Sequence, residues 1–273
     1  MDFITLIKAA ILGVIEGLTE FLPISSTAHL LIGERLLGFS DPGGLFTVMI
    51  QLGAILAIVW LYRARIVEAV LGLATKPEAR QLALAIIIAF IPAVIAGLLL
   101  AHFVKADLYS NLNVVAFAFI LGGIAMLVID HYRRDKDTTE TAETPPPNAP
   151  TALGIGLFQC LALIPGTSRS GATIFGGLLL GLNRRTAAEF SFFLAIPTML
   201  AAFLHDLMDL MKEHAPGGHA VEIAVGFVFA FLSALVVVKP FLNFITKSGF
   251  GPFAWYRILA GLVLLIAVTL QWL

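Results

Sequence analysis

The sequence is short of charge. Only 13% of its 273 residues are Asp, Glu, Lys or Arg, about half the share that soluble domains carry. Another 59% are hydrophobic, so a water-soluble globule is excluded and a membrane protein indicated. No basic excess exists, since the net charge is −1, and nucleic acid is therefore not expected as a partner. Cysteine is almost absent. Cys160 stands alone, so no internal disulfide can form, and its apolar surroundings assign it to helix packing. The opening MDFITLIKAAILGVIEGLTEF has an acid at position 2 and no small-residue cleavage site after its apolar run. That is not a signal-peptide layout, and the first segment is expected to stay in the mature protein.

What the chain has is long apolar runs. Six are long enough, or nearly so, for a hydrocarbon core that needs about 20 residues: Leu45–Tyr62, Leu82–His102, Val114–Asp130, Ala187–His205, Val221–Val238 and Phe253–Trp272. Two further apolar regions are interrupted. Phe3–Phe39 is broken by Glu16, Glu20 and LPISSTAH, and Thr151–Leu182 by PGTSRSGAT. The half-helix Ala152–Ile164 would be only about 20 Å long, short of a core of roughly 30 Å.

Basic residues set the orientation. Four segments carry them: Arg63 to Arg80, Arg133 to Lys136, Arg184 with Arg185, and Lys239 with Lys247. These are expected on the cytoplasmic side, with the acidic Asp206–Gly218 and the near-neutral Lys105–Asn113 outside. The segment Thr151–Leu182 must then enter and leave on one side, and Phe3–Phe39 on the other. A weak internal repeat agrees. A shift of 143 residues matches Gly13 with Gly156, Leu18 with Leu161, Ser25 with Ser168 and Gly33 with Gly176. It also matches Leu36, Leu37 and Gly38 with Leu179, Leu180 and Gly181, and sets Glu16 on Gln159. The expected fold is an all-α polytopic membrane protein of two inverted-topology repeats, each a re-entrant helical hairpin plus three transmembrane helices. The first repeat is assigned to 1–130, with its hairpin at 3–39. A flexible cytoplasmic linker, the polar and proline-rich tract of 131–150, follows. The second repeat is assigned to 151–273, with its hairpin at 151–182.

The polar clusters fall in the two interruptions. Glu16 and Glu20 are four residues apart and share a helix face. Within a membrane such a pair costs at least about 2.5–3.5 kcal/mol per carboxylate on insertion scales. Unless the helix end lies in the interface, the two carboxylates hold a hard cation or handle a proton. Pro23 ends that helix; Ser25, Ser26 and Thr27 then open the next, Ser25 being a candidate cap. His29 lies three residues past Ser26, within hydrogen-bonding range on one helical turn, and a hydroxyl nucleophile needs such a base. In PGTSRSGAT, Ser168, Arg169, Ser170 and Thr173 open another half-helix after a breaker and a glycine. Hydroxyls, helix N-terminal amides and one arginine suit an anion or phosphate. Arg169 pairs either with Glu16 or Glu20 or with a substrate phosphate. Gln159 and Glu189 are candidates for the same cavity, and Tyr256 with Arg257 are read as interface anchors of the last span. His102, His131, His205, His214 and His219 show no metal-ligand spacing and are assigned no role.

EGLTEFLPISSTAH and PGTSRSGAT resemble the two signature regions of the bacterial undecaprenyl-pyrophosphate phosphatases of the bacitracin-resistance type. The first fits an E-x-x-x-E helix followed by P-x-S-S-T-x-H; the second fits P-G-x-S-R-S-x-x-T at every defined position. The resemblance extends over the whole chain. Ala28 stands where many members have glycine, a difference of one methyl. The resemblance implies hydrolysis of undecaprenyl diphosphate to the monophosphate and inorganic phosphate, which recycles the lipid carrier of peptidoglycan. It implies dependence on a divalent cation, Mg2+ or Ca2+, bacitracin resistance on overexpression, and a site on the periplasmic side of the bacterial inner membrane. Membrane lipids are the surroundings, and a homodimer is kept as an option.

The catalytic set expected on the two readings together is Glu16, Glu20, Ser26, His29 and Arg169. Ser25, Thr27, Ser168, Arg169, Ser170 and Thr173 would bind phosphate, and Glu16 with Glu20 would hold the metal. The nucleophile is either Ser26 assisted by His29 or a water activated by His29. The rival from another class is a lipid-phosphate flippase using the same cradle, since re-entrant inverted repeats also build transporters.

Overall fold

A computed structural model describes residues 3–41, 44–104, 108, 111–137, 145–212 and 220–272. Helices dominate these residues and no strand occurs among them. Lipid offers no hydrogen-bond partner to the backbone, and a helix satisfies its own amides and carbonyls. The apolar runs become α3 (Leu45–Leu61), α5 (Pro77–Phe103), α6 (Leu112–Asp137), α9 (Arg184–Lys212), α10 (Ala220–Ser248) and α11 (Gly251–Thr269). Five are long and apolar enough to cross a membrane alone, and α3 qualifies together with α4 (Arg63–Gly72), from which it is bent by 70°. The protein is an all-α, multi-pass membrane protein.

The two interrupted regions are the short hairpins foreseen in the sequence. The first consists of α1 (Phe3–Thr19) and α2 (Ser26–Leu37). The second consists of α7 (Ala149–Gln159), a 3-10 turn over Cys160–Leu163, and α8 (Arg169–Leu179). At 17, 12, 11 and 11 residues, each is about 16–26 Å long and falls short of a roughly 30 Å core. Glycine at 38, with φ 57°, ends α2: its amide and that of Phe39 return to the Arg35 and Glu34 carbonyls, a left-handed terminus that favours glycine. Asp41 accepts from the Phe46 and Thr47 amides and starts α3. Asn148 accepts from the Thr151 amide and starts α7.

Both halves run hairpin, span, span, span, and they interlock. The first helix of each hairpin lies against the second span of the opposite half, α1 on α10 and α7 on α5. Gly13 and Gly156, matched by the repeat, make those crossings possible. A Cβ on Gly13 would stand 2.2 Å from the Gly226 carbonyl oxygen, and one on Gly156 2.5 Å from that of Ala89. The third spans, α6 and α11, pack on each other, as do the first, α3 and α9. Phe21, Phe192, Phe250, Ile174, Leu178 and Leu194 are fully buried where these elements meet.

Two expectations are adjusted. The region 131–150 is not all linker: α6 continues to Asp137 and Asn148 already caps α7, while 138–144 lie outside the described residues. The segment after Tyr62 is not a bare loop, because Arg63 starts α4. His214 and His219, with most of the connection after α9, lie outside the described residues.

The basic segments gather at one end. Arg65 and Arg185 both bond Glu189. Arg184 bonds Asp130 at 2.8 Å, and Asp130 also accepts from the Phe250 amide. The starts of α4 and α9, the last turns of α6 and the α10–α11 connection are thus tied together. Glu189 belongs to this end and not to the cavity, correcting the expectation from sequence: its spacing of four from Arg185 makes an i,i+4 pair.

Candidate active site

The turns of the two hairpins meet inside the bundle. Ser168 Oγ and Ser170 Oγ both donate to the Leu22 carbonyl, at 3.4 and 2.8 Å. This contact joins the second turn to the first. A cavity of about 390 Å3 opens beside it. Glu20, Ser25, Ser26 and Thr27 line it from the first hairpin, and Gln159, Thr167, Ser168 and Arg169 from the second. Its outer part is apolar, with Phe90, Val94 and Leu98 of α5 and Met199 and Ala202 of α9. The rim includes His205 and Asp206, which lie about 30 Å along α9 from Arg184 at 1.5 Å per residue. The cavity therefore opens toward the end opposite the basic cluster.

At its base three side chains form a line. Ser26 Oγ donates to Glu20 Oε2 at 2.5 Å, and Arg169 Nη2 donates to Glu20 Oε1 at 2.7 Å. Arg169 is steadied by Nη1, which donates to the Ser191 carbonyl at 3.0 Å. Glu20 is thereby held by a cation on one oxygen while its other oxygen accepts the proton of a serine. A charge-assisted hydrogen bond of this kind is short and directional. Of the two partners the sequence offered Arg169, the protein carboxylate is the one in place.

Glu16 lies one turn before Glu20 and is wholly buried. Its carboxylate oxygens meet no N–H donor, and its charged neighbours are Glu20, whose carboxyl is within side-chain hydrogen-bonding reach, and Arg169. An orphaned buried carboxylate beside a second one fits a hard cation, whose ligands are oxygens. Among the described residues no three His, Cys, Asp or Glu side chains converge. Two carboxylates are fewer oxygens than such an ion takes, and of the two only Glu20 lines the cavity.

His29 is placed differently from expectation. Its Nδ1 lies 2.7 Å from the Ser25 carbonyl, an acceptor, so Nδ1 carries the proton; Nε2 then accepts from Tyr256 Oη at 2.6 Å. Both ring nitrogens are taken, His29 does not line the cavity, and Ser26 bonds Glu20 instead. Ser170 and Thr173 are buried behind the cavity wall: Ser170 joins the turns, and Thr173 bonds Ser191 Oγ at 2.6 Å. Ser168 caps α8 by accepting from the Gly171 amide at 3.0 Å. Ser25 provides no such cap. Its φ is 69°, and the first amides of α2 have no side-chain acceptor from it. That bare helix start adjoins the cavity, where Ser26 and Thr27 line the wall, and it suits an anion.

Several residues were missed by sequence reasoning. Gln51 of α3 and Thr198 of α9 also line the cavity, and each is a lone polar residue in an apolar run, the signal that could have flagged it. Arg257 is not an interface anchor; it is only 2% exposed and bonds the Pro23 and Gly166 carbonyls. Cys160 is partly buried, with its thiol donating to the Gly156 carbonyl, in keeping with a packing role.

Residues 9–263 match the family described as "Bacitracin resistance protein BacA". The chain is 47% identical over 264 residues to undecaprenyl-diphosphatase 1 of Agrobacterium fabrum, covering 97% of each protein. It is 46% identical over 275 residues to an undecaprenyl-diphosphatase of Paracoccus denitrificans, covering 100% of both. With undecaprenyl-diphosphatase 2 of Rhodospirillum rubrum the identity is 51% over 269 residues, 97% of this chain and 96% of the other.

Proposed function

The chain belongs to the bacitracin resistance protein BacA family, and from that membership we propose that it is an integral-membrane phosphatase. It hydrolyses undecaprenyl diphosphate to undecaprenyl phosphate and inorganic phosphate, returns the lipid carrier to peptidoglycan synthesis and confers bacitracin resistance. The observation that carries the reading to residues is the Ser26–Glu20–Arg169 line at the base of the cavity between the two hairpin turns.

The chemistry follows from that line. The diphosphate enters beside the bare start of α2, where Ser25, Thr27 and the first amides meet its oxygens, with Ser168 on the opposite wall. Glu20 takes the Ser26 proton as Oγ bonds the terminal phosphorus. The P–O bond to the bridging oxygen breaks, and undecaprenyl phosphate leaves with that oxygen. Water then attacks the phosphoserine, and Glu20 returns the proton to Oγ as the Oγ–P bond breaks. The surplus proton of the water leaves with inorganic phosphate. Arg169 orients Glu20 and faces the charge that builds on the transferring phosphoryl group, the largest contribution expected in phosphoryl transfer. His29 has no part in the proton transfers of this scheme; it holds the Ser25 turn. Glu16 and Glu20 would hold a Mg2+ or Ca2+ ion, and such a cation, when bound, neutralises phosphate charge.

The protein lies in the bacterial inner membrane, with the tied basic cluster in the cytoplasm and the cavity open to the periplasm. The two hairpins then dip in from opposite faces as inverted repeats of 1–130 and 151–273. The isoprenyl tail runs into bilayer lipid, and a homodimer is compatible with this layout.

The test is phosphate release from undecaprenyl diphosphate by purified protein, with and without EDTA, beside Glu20→Gln. Turnover by the wild type, abolished by EDTA and by the variant, is expected. A wild type that binds the lipid and releases no phosphate with any divalent cation would overturn the reading.

A further inference from the structure

Arg257 is a cation with nowhere obvious to put its charge. It is 2% exposed, and among the described residues no carboxylate pairs with it. Its donors go to backbone carbonyls: Nη1 to Pro23 at 3.1 Å, and Nη2 to Ala118 at 2.9 Å and Gly166 at 3.0 Å. Nε reaches Phe119 at 3.5 Å, with the guanidinium 5.3 Å from the Phe119 ring centre. Burying an arginine without a counterion is costly, so an apolar side chain of like volume would be the cheaper way merely to fill this space.

The choice of carbonyls gives the reason. The shift of 143 that relates the two halves places Pro23 on Gly166. One side chain therefore binds equivalent atoms in both hairpin turns. Each bound carbonyl also stands three residues before a residue at the cavity base, Pro23 before Ser26 and Gly166 before Arg169. Arg257 reaches both because α11 crosses α6, the third span of the other half, at a point of very close approach. Gly261 lies there, where a Cβ would fall 2.9 Å from the Ala116 carbonyl oxygen. Gly122 lies there too, and a Cβ on it would fall 2.3 Å from Arg257 Nη2. The guanidinium occupies room that the missing side chain of Gly122 leaves open. Its rigid planar fork, with five N–H donors, can serve several acceptors in fixed relation, which a lysine ammonium on a flexible stem cannot. The neighbouring Tyr256 adds a strap on the first turn through His29, whose Nδ1 holds the Ser25 carbonyl.

We infer that Arg257 is a positioning residue that locks the two hairpin turns in register, and so fixes Ser26 and Glu20 of one against Arg169 of the other. The inference rests on the phosphatase reading for its kinetic consequence but not for its structural one. Full-length protein in detergent carries two variants, Arg257→Lys and Gly122→Ala, which disturb the same guanidinium from its two sides. Hydrogen exchange is expected to rise in 22–27 and 164–169 together. The kcat for lipid diphosphate should fall about 10–100-fold, as misplacement of reacting groups does, with KM moving by no more than about threefold. Combining the variants should cost little beyond the worse single one, because both act on one contact.

Loosening of one turn without the other would overturn the inference. So would a kcat per folded molecule that stays at the wild-type value while only thermal stability falls. If Arg257→Lys does not fold, Gly122→Ala alone decides. A wild type without turnover would sink the phosphatase reading and leave the paired exchange result to decide the register claim.

Discussion

The two hairpin turns have a common plan and opposite finishes. Ser168 takes an extended φ of −66° and caps its helix through the Gly171 amide. Ser25, its counterpart, has φ 69° and makes no side-chain cap. One position on, the first turn has Ser26 and the second has Arg169, and both converge on Glu20. The second turn is capped and holds Glu20 through Arg169. The first is left strained and uncapped, with its hydroxyl on a carboxylate and its helix start facing the cavity. Backbone strain of this sort persists where surrounding packing imposes it, and it gathers at functional sites. On the mechanism we propose, the first turn reacts and the second binds.

Substitutions on the two sides should therefore fail in different ways. Ser26→Ala removes the attacking oxygen and is expected to lower kcat by roughly a thousandfold or more, with lipid binding kept, as read by phosphate release and by a binding isotherm. Arg169→Lys keeps the charge and loses the fork; a fall of about a hundredfold in kcat is expected. If the two variants instead lose binding and turnover in parallel, the division into reactive and binding halves is wrong.

Stability should separate the turns with opposite signs. Ser168→Ala removes a side-chain cap, whereas Ser25→Gly relieves a left-handed φ. The first should lower thermal stability by up to about 1 kcal/mol, and the second should raise it by about 0.5–1 kcal/mol, as read from melting in detergent. The smallest effect is assigned to Tyr256→Phe, which keeps the ring stack at 5.7 Å on His29 but deletes one hydrogen bond. A loss of a few-fold in kcat is expected, in line with about 1 kcal/mol.

Much of this was legible in the sequence because it depends on length and charge. The spans follow from apolar runs, the short hairpins from runs cut by proline and polar residues, and the common end of the basic loops from arginine and lysine placement. The repeat was legible through Gly13 and Gly156 because close helix crossings demand the same small residue in both halves. The site was half legible. Glu20, Ser26 and Arg169 were marked by the cost of placing them among apolar residues, but their pairing was not. Helical spacing points from Ser26 to His29, whereas the turn Phe21–Ser25 folds Ser26 back onto Glu20, six residues earlier. Arg257 was misread because it follows Trp255 and Tyr256 near the start of an apolar run. Yet α11 begins at Gly251, which carries Arg257 nearly two turns into the bundle. The bend at Tyr62 was hidden for the same kind of reason: a cluster of arginines reads as a loop whether or not the helix resumes.

The central claim is that the first turn supplies the nucleophile and its base. The direct measurement is an acid quench within a single turnover, using lipid diphosphate labelled in its terminal phosphate, followed by peptide mapping. The mechanism predicts labelled phosphoserine at Ser26, absent from Ser26→Ala and strongly reduced in Glu20→Gln. Release of phosphate carrying solvent oxygen, with no protein-bound label at any time point, would contradict it and make water the nucleophile.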